Sequence, residues 1–461
     1  MERVLFVVPP SKGDYGRPGY PHIGISYLVA SLREDGVESD AVDMRLGTGI
    51  GSVIARAKKF KPDIVGVTTY TLEYLRSYEV INALKEALDL PLVAGGPHVS
   101  VMGDDLMAKT GADYAVVAEG ENTILSLCRE EPPDGIENLI WRGKEGIVRN
   151  KKAQPIRDLD ALPYPAYDVF DLDAYDNKQI PIVSSRGCPY QCVYCSIRLT
   201  MSCTWRPRSP ENVVGEIRKW YDRGYRDFQF TDDNFTLDME RAGKICDMII
   251  DERLDIKWDL RNGVRVDRVD KPLLKKMKDA GCFFVAFGIE SGNQKVLDAM
   301  KKGITLEQVT KAVHAAKSVR LRASGFFIIG TPEETYETAM DSVKFAKGLP
   351  LDETRFYNAM PYPGTEFYEW VAKNGTFLEP MESYLNGRSH QRSAPVFETK
   401  EFPLDERVRA LNVASKFSLK RNFRKRFGPL APIAYGFWSS DALRGLGRRG
   451  LSAARKAKNT I

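Results

Sequence analysis

The chain has 461 residues, enough for about three domains at roughly 150 residues each. Hydrophobic residues make up 43% and charged residues 28%, and 67 basic against 62 acidic side chains leave a net charge of +5. This balance is ordinary for a folded protein, and it does not require a nucleic-acid partner.

The first residues, MERVLFVVPPSKGDYG, contain one short apolar run that ends at Pro9 and Pro10. Because glycine and charged residues follow at once, the run predicts a buried strand and not a signal peptide. No apolar stretch approaches the ~18–20 residues that a membrane-spanning helix needs. We therefore expect a cytoplasmic protein whose thiols are reduced.

From residue 1 to about 145, short apolar runs alternate with helical patterns. This alternation is typical of parallel strands in a doubly wound α/β sheet. Such a sheet binds its ligand outside the carboxyl ends of the strands. The predicted strands are 4–8, 40–44, 63–71, 91–96 and 114–121.

Small or polar residues follow these strands and suit a large flat ligand. The sequence contains no G-x-G-x-x-G fingerprint at these positions, which disfavours a nicotinamide or flavin nucleotide. The candidate ligand contacts are Thr68, Thr69, Gly95, Gly96, His98 and Glu119.

Residues 146–178 are rich in Pro, Asp and Tyr and are predicted to form a linker. A second series of strands and amphipathic helices follows in residues 179–375. Six β-α units fit a partial (β/α)6 barrel, whose active site forms at the carboxyl ends of the strands. The predicted strands are 180–185, 227–231, 257–261, 283–289, 321–330 and 354–360.

Residues 376–461 are predicted to be a basic, mostly helical C-terminal region. From Leu404 to Ile461 there are 14 Lys or Arg and 3 Asp or Glu. One interpretation is a solvated helix with a frayed end. The other is that this basic segment, which contains Phe437 and Trp438, makes a peripheral contact with a membrane surface or an amphiphilic substrate.

The stretch RGCPYQCVYCS (186–196) contains three of the seven cysteines. The odd total and the scattered positions of the other four disfavour a disulfide framework. A structural zinc ion needs four ligands, and the fourth would have to be Cys203, His98 or His314. A four-iron cluster on three cysteines leaves one iron open, here at the end of the first barrel strand.

CPYQCVYC resembles the C-x3-C-x-aromatic-C signature of the radical S-adenosylmethionine superfamily. Members of that superfamily bind S-adenosylmethionine at the open iron of a [4Fe-4S] cluster and reduce it to release a 5′-deoxyadenosyl radical. The resemblance implies that Cys188, Cys192 and Cys195 ligate the cluster. It also implies that Tyr194 lies beside the adenine.

The later strand ends match other parts of that superfamily's site. TDDNF (231–235) stands where the superfamily usually has Gly-Gly-Glu, which holds the methionyl amine. The fifth strand matches the Ile-x-Gly-x-x-Glu portion of an adenine-contacting motif, with its leading glycine displaced to Gly325. Arg265 is expected to be available for a carboxylate. The implied contacts are Asp232, Asp233, Asn234, Asn262, Arg265, Glu290, Ser291, Ile328, Gly330 and Glu333.

Residues 1 to about 370 resemble the cobalamin-binding class of these enzymes, through the VVPP and AGGPHVS tips, AEGE, and the DLDALPYPAYD linker. The resemblance implies a Rossmann-like cobalamin-binding domain, with a corrinoid between the domains that faces the cluster. The second-strand tip, DMRLG (43–47), lacks the histidine of the Asp-x-His-x-x-Gly motif. We therefore expect a displaced lower base and no histidine ligand. His98 is expected at the ligand's rim or exposed, with axial ligation as the alternative.

The leading hypothesis is a cobalamin-dependent methyltransferase that acts on an unactivated carbon. The nearest alternative is a radical cyclase, or a C–C bond-forming or rearranging enzyme, in tetrapyrrole, lipid or secondary metabolism. The expected partners are a small-molecule or lipid substrate and an electron donor such as flavodoxin or ferredoxin.

Two further alternatives are disfavoured by the residues. An RNA methylthiotransferase would carry a second cluster on N-terminal cysteines, yet no cysteine precedes Cys128. A non-enzymatic cobalamin or zinc sensor would need no aligned polar groups around the cysteines.

Overall fold

The computed structural model describes residues 1–11, 18–176, 178–386, 394–430 and 432. Phe437 and Trp438, the aromatic residues of the expected membrane contact, lie outside these residues. Within them, no helix is both long enough and apolar enough to cross a bilayer.

The first domain is built around one seven-stranded sheet. Its strands are β1 (Arg3–Val8), β2 (Glu38–Asp43), β3 (Ile64–Thr68), β4 (Leu92–Gly95), β5 (Tyr114–Val116), β6 (Leu139–Gly143) and β7 (Gly146–Arg149). Its helices are α1 (Ile23–Glu34), α2 (Ile50–Phe60), α3 (Tyr74–Ala87), α4 (Pro97–Lys109) and α5 (Glu121–Cys128). The strand order is β2-β1-β3-β4-β5-β6-β7, and β1 to β5 pair in parallel. The predicted doubly wound sheet is confirmed.

The hairpin of β6 and β7 adds two antiparallel strands at one edge of this sheet. It extends the sheet to Arg149, into the segment that the sequence assigns to the linker. All four residues of β7 are exposed. An exposed edge strand has no buried apolar run, which is why strand patterning did not reveal it.

The second domain is an open parallel sheet of six strands with helices between them. The strands of this domain are β8 (Ile180–Ile182), β9 (Ser185–Arg186), β10 (Arg206–Pro207), β11 (Asp227–Phe230), β12 (Lys257–Val264), β13 (Cys282–Glu290), β14 (Arg322–Ile329) and β15 (Glu353–Asn358). Strands β9 and β10 lie outside the six-stranded sheet and form a separate antiparallel pair. The helices are α6 (Ile197–Thr200), α7 (Pro210–Asp222), α8 (Met239–Asp251), α9 (Lys271–Asp279), α10 (Gln294–Ala299), α11 (Leu306–Ser318) and α12 (Tyr336–Gly348). The sheet order is β15-β14-β13-β12-β11-β8, which agrees with the predicted partial barrel.

Capping side chains mark where the barrel helices begin. Ser209 accepts from the N–H of Asn212 at the start of α7, and Asp238 accepts from the N–H of Arg241 at the start of α8. Thr305 and Gln308 form a reciprocal capping box at α11. Each cap satisfies an N–H group that the helix leaves unpaired, a contribution of about 1 kcal/mol.

The C-terminal unit packs against both domains. Its elements are α13 (Glu366–Asn374), β16 (Gly375–Phe377), α14 (Met381–Tyr384), β17 (Phe397–Thr399) and α15 (Leu404–Phe427). One apolar cluster joins Phe367 and Leu385 of this unit to Tyr74 and Val99 of the first domain. The N–H of Glu73 also donates to the carbonyl of Leu385 at 2.6 Å.

Helix α15 is docked on the barrel and is not solvated on all sides, so that expectation was wrong for residues 404–427. The amide of Asn422 pairs with both the N–H and the carbonyl of Thr354 on the edge strand β15. The Arg421 guanidinium donates to the carbonyls of Ala346, Leu349 and Leu351. Basic residues therefore serve as hydrogen-bond donors at the barrel edge, which composition alone does not reveal.

Candidate functional site

The cysteine loop, residues 187–196, connects β9 to α6 at the end of the first barrel strand. Gly187 opens the loop at φ +82°, and a Cβ there would lie 2.3 Å from the carbonyl oxygen of Thr204. Only glycine fits such a position. The loop is fixed further along, because the N–H of Val193 donates to Met300 and the N–H of Phe367 donates to Val193.

The thiols of Cys188, Cys192 and Cys195 are free and half-buried. Burial raises the pKa of the Cys195 thiol to about 11 and also raises the pKa of Cys188. The three thiols lie close enough to influence one another electrostatically. A nearby metal cation reverses such a shift, because it stabilises the thiolate.

This donor set fits an iron–sulfur cluster. Among the residues that the structure describes, no three His, Cys, Asp or Glu side chains are arranged to hold a single metal ion. A four-iron cluster does not require such convergence, since each iron takes its own thiolate. The sequence offered three candidates for a fourth zinc ligand. His98 is buried in the first domain and His314 is exposed on α11. Only Cys203 is close to the loop in sequence.

Arg265 contacts the cysteine loop through the aromatic ring of Tyr190. Its guanidinium lies 3.5 Å from the centre of the Tyr190 ring and donates to Asp267 and to the carbonyls of Lys302 and Gly303. Most of its N–H groups are therefore engaged within the protein, whereas the sequence analysis expected them to be available for a carboxylate.

The polar residues of the TDDNF segment differ in how far their hydrogen bonds are satisfied within the protein. Asp232 accepts from the N–H and hydroxyl of Ser184 and the hydroxyl of Ser185. Asp233 accepts from the N–H of Gly187 at 2.8 Å, and burial raises its pKa to about 6. Asn234 is 2% exposed, and neither of its amide atoms has a partner. Asp233 and Asn234 thus keep hydrogen-bonding capacity for a ligand.

A buried charge pair lies beside Tyr194. The Lys302 Nζ is 2.7 Å from Glu290 Oε1 and 3.3 Å from the Tyr194 hydroxyl. Tyr194, Glu290 and Ile328 line a cavity of about 230 Å³ together with Phe326 and other aromatic side chains. Lys302 was not predictable from the sequence, because KKG after a helix is typical of an exposed helix end, and no spacing rule marks it.

The other expected contacts at the barrel strand ends are mostly engaged within the protein. Ser291 is buried, with its hydroxyl 3.2 Å from that of Ser342, and the Asn262 amide donates to the Thr231 carbonyl. Gly330 has φ +101°, and a Cβ there would lie 2.6 Å from Arg407 Nη1.

Glu333 is exposed, while its neighbour Glu334 is buried and accepts from the N–H groups of Gly330 and Thr331. Burial raises the pKa of Glu334 to about 7. The motif spacing pointed to Glu333, but the structure gives the buried carboxyl group to Glu334.

A cavity of about 310 Å³ separates the strand tips of the first domain from the barrel. On the first-domain side, Thr68, Gly95, Gly96 and Glu119 line it, as expected. On the barrel side, Val183, Ser185, Arg186, Met201, Thr231 and Asp233 line it, next to the cysteine loop. Gly96 has φ +99°, and a Cβ there would lie 2.6 Å from the carbonyl of Thr69, whose hydroxyl donates to Gly95.

His98 lies in the core of the first domain and not at the rim of this cavity. It is fully buried, stacks on Tyr74 with ring centres 4.6 Å apart, and shares a hydrogen bond of 3.0 Å with the Tyr78 hydroxyl. Burial lowers its pKa to about 4, so the ring is neutral.

His22, which the sequence analysis did not select, lines the cavity. Its Nδ1 accepts from the N–H of Ile25 as the N-cap of α1, which assigns the proton to Nε2. Nε2 faces the hydroxyls of Thr68 and Tyr70 at 3.3 and 3.0 Å. His22 therefore presents an N–H to this region and no lone pair. Its place directly before a helix was the available signal.

Comparisons with known proteins agree with this arrangement. The Radical SAM superfamily model matches residues 182–346, and the B12 binding domain model matches residues 18–127. An uncharacterized methyltransferase of Pyrococcus horikoshii is 36% identical over 431 residues, which cover 89% of this chain and 91% of that protein. An anaerobic magnesium-protoporphyrin IX monomethyl ester cyclase of Rubrivivax gelatinosus is 28% identical over 75% of this chain and 65% of its own.

Solved structures share the fold. The radical S-adenosylmethionine methyltransferase TsrM from Kitasatospora setae, with cobalamin and a [4Fe-4S] cluster bound, superposes with a TM-score of 0.71 at 20% identity, over 81% of this chain and 75% of its own. The cobalamin-dependent radical enzyme OxsB superposes with a TM-score of 0.67 at 19% identity, over 81% of this chain and 55% of its own.

Proposed function

The chain belongs to the cobalamin-dependent radical S-adenosylmethionine methyltransferase family, and from this premise we propose that it methylates an unactivated carbon of a small molecule. It is an enzyme, and its cofactors are a [4Fe-4S] cluster, S-adenosylmethionine and cobalamin. The observation that carries the proposal is the cavity between the domains, whose walls are the strand tips of the B12-binding domain and residues beside the cysteine loop. A corrinoid there would face the cluster.

The first-domain wall suits a flat ring held by shape. Gly95 leaves room for close approach, and Thr68 offers a hydroxyl. Because His22 presents an N–H and His98 lies in the core, we propose that cobalamin binds without a histidine ligand. The apolar part of the cavity, between Phe6, Val93 and Ile124, would receive the displaced lower base.

The barrel side suits S-adenosylmethionine. We propose that Cys188, Cys192 and Cys195 ligate the cluster, and that Asp233 and Asn234 accept hydrogen bonds from the methionyl ammonium group.

The aromatic cavity beside Tyr194 would hold the adenine, with Ile328 on its wall. Glu290, which Lys302 holds at 2.7 Å, would accept hydrogen bonds from the ribose hydroxyls. Burial of these groups excludes water from the place where the radical forms.

When bound, the cluster would supply the electron for reductive cleavage of S-adenosylmethionine, and the corrinoid would supply the methyl group, which a second S-adenosylmethionine restores. The residues of this chain would bind and orient these groups. Two electrons per methylation have to come from outside, one for the cleavage and one to reduce the corrinoid before it is methylated again, so we include a donor such as flavodoxin or ferredoxin in the proposal. The cytoplasmic location and the membrane contact of the C-terminal region stay predictions.

A second candidate is a radical cyclase or another C–C bond-forming enzyme on the same scaffold. The likeness to the anaerobic magnesium-protoporphyrin cyclase supports it. The two candidates differ in product: methylation adds a carbon that comes from S-adenosylmethionine, whereas cyclisation adds none.

The test is anaerobic reconstitution with iron, sulfide and hydroxocobalamin, then incubation with cell extract and methyl-deuterated S-adenosylmethionine. Mass spectrometry should find a product that carries one labelled methyl group. A cyclised, unlabelled product with 5′-deoxyadenosine would support the cyclase instead. Cys192→Ala should abolish turnover, and Cys203→Ala, which removes an exposed thiol beside the loop, is the matched control.

A further inference from the structure

Four buried charged side chains connect the first domain to the cysteine loop, and we call them the clamp: Glu119, Glu121, Arg186 and Arg206. Each is at most 9% exposed. Arg186 Nη1 is 2.7 Å from Glu119 Oε1, and its Nη2 is 2.7 Å from Glu121 Oε1. Arg206 Nη1 is 2.7 Å from Glu119 Oε2. Two positive and two negative charges thus neutralise each other away from water.

Through this clamp, Glu119 holds the residue before the cysteine loop and also strand β10, which follows helix α6. Arg186 immediately precedes Gly187, where the loop begins. Arg206 donates through Nη2 to the carbonyl of Met201, which follows helix α6. Glu119 also accepts from the N–H of Ile156 in the linker, and Arg206 donates to the carbonyl of the same residue. The residue before the loop, strand β10 after helix α6 and the linker therefore meet at one carboxylate.

On the first-domain side, the clamp is part of the cavity wall. Glu119 and Glu121 follow β5 on either side of Gly120, and all three line the cavity together with Arg186. The Arg186 guanidinium also lies 4.7 Å from the centre of the Tyr27 ring on α1. The residue before the cysteine loop is thus enclosed by first-domain side chains.

Buried ion pairs contribute little net stability, because desolvation of the charges offsets their attraction. Their distinct contribution is geometric: a planar guanidinium with both ends bonded fixes orientation as well as distance. Here the guanidinium of Arg186, bonded at both ends, lies between the wall of the corrinoid cavity and the cysteine loop.

We propose that Arg186 is a positioning residue that fixes the distance and orientation between the corrinoid and the iron–sulfur cluster. The inference rests on the proposed function, since it requires both cofactors to bind. It assigns Glu119 to the support of this geometry and not to direct contact with cobalamin.

The test is dipolar electron paramagnetic resonance on the full chain, loaded with a dithionite-reduced cluster and cob(II)alamin, both of which are paramagnetic. The wild type should give one narrow distance distribution. Arg186→Lys keeps the charge but cannot bond both carboxylates in one plane. Its distribution should broaden or shift by about 1 Å or more, the scale at which misplacement affects catalysis.

The matched control is Arg421→Lys. Arg421 is a part-buried arginine of α15 whose guanidinium donates to three main-chain carbonyls of the barrel. The substitution should lower thermal stability but keep the narrow distribution. If the Arg186→Lys variant does not bind one of the two cofactors, the Glu121→Gln variant replaces it. This variant keeps the contact between Glu119 and Arg186, so its distance distribution should broaden less than is expected for Arg186→Lys.

An unchanged distribution in Arg186→Lys at full occupancy would overturn the proposal, as would an unchanged distribution in Glu121→Gln where that variant replaces it. A wild type that binds no cobalamin or no cluster would instead contradict the proposed function.

Discussion

The two walls of the central cavity are built from different chemistry. On the first-domain side, glycine, short hydroxyl and apolar side chains predominate, as at Gly95, Thr68 and Val93, and the two carboxylates of this wall, Glu119 and Glu121, are paired with arginines. On the barrel side, the wall includes charged side chains such as Arg186, which is buried, and Asp233, which is partly buried. We therefore expect the first wall to select its ligand by shape and the second to hold its ligands by charge and by metal ligation. Substitutions that change volume should therefore act on the first wall, and substitutions that change charge or donor type on the second.

The largest effect is expected from loss of a metal ligand on the barrel side. Cys192→Ala removes one of three thiolates, so cluster iron and the formation of 5′-deoxyadenosine should both fall to background. Iron analysis and chromatography measure the two quantities. Cobalamin should still bind, because the first-domain wall is intact. Loss of cobalamin together with the iron would show that the walls are not separable in this way.

Breaking the clamp should come next. Glu119→Ala leaves two buried guanidinium groups without their shared partner, and such a loss costs about 3–5 kcal/mol of the free energy of unfolding. Chemical denaturation measures it. Glu130→Ala, at an exposed carboxylate that pairs only with the chain terminus, should cost less than about 1 kcal/mol. Equal losses for the two would contradict the importance of the clamp.

A pH effect is expected from Glu334, which supports the fifth-strand turn. Burial raises its pKa from 4.5 to about 7, so between these values the folded protein binds more protons than the unfolded chain. The free energy of unfolding should therefore fall as pH rises from about 4.5 to 7, by at most about 3 kcal/mol from this group. Glu334→Gln should flatten this slope in denaturation curves. A slope that stays unchanged would show that the carboxyl group titrates normally.

The smallest effects are expected on the first-domain wall. Gly96→Ala places a Cβ 2.6 Å from the Thr69 carbonyl oxygen at positive φ, and should cost about 1–3 kcal/mol of the free energy of unfolding. A Cβ at Gly95 meets no protein atom within 4 Å, so Gly95→Ala should keep the stability of the fold but weaken cobalamin binding, because the methyl group takes up space in the cavity. Titration with hydroxocobalamin measures the affinity of both variants. If Gly95→Ala bound cobalamin as the wild type does, selection by shape at this position would be wrong.

Features formed by residues close in sequence could be predicted, whereas contacts between residues far apart in sequence could not. The parallel strands were predictable because runs buried on both faces leave an apolar pattern, as in β3. The cysteine loop was predictable because its three cysteines lie within a stretch of eight residues.

The clamp and the charge pair beside Tyr194 were not predictable in the same way. Glu119 and Arg186 are 67 positions apart, and Tyr194 and Lys302 are 108 apart. No local pattern encodes such contacts, since they depend on how two sheets and their loops pack. The same holds for α15, whose basic residues indicated solvent exposure until their main-chain partners on the barrel were seen.

The central claim is that the corrinoid in the cavity between the two walls delivers the methyl group. A single-turnover experiment tests it most directly. The enzyme, with its cluster reduced by dithionite, is loaded anaerobically with methyl-deuterated methylcobalamin. It is then supplied with unlabelled S-adenosylmethionine and the substrate identified by the labelling experiment. The account predicts that the first equivalent of product carries the deuterated methyl group. A first equivalent with an unlabelled methyl group, or with none, would contradict it.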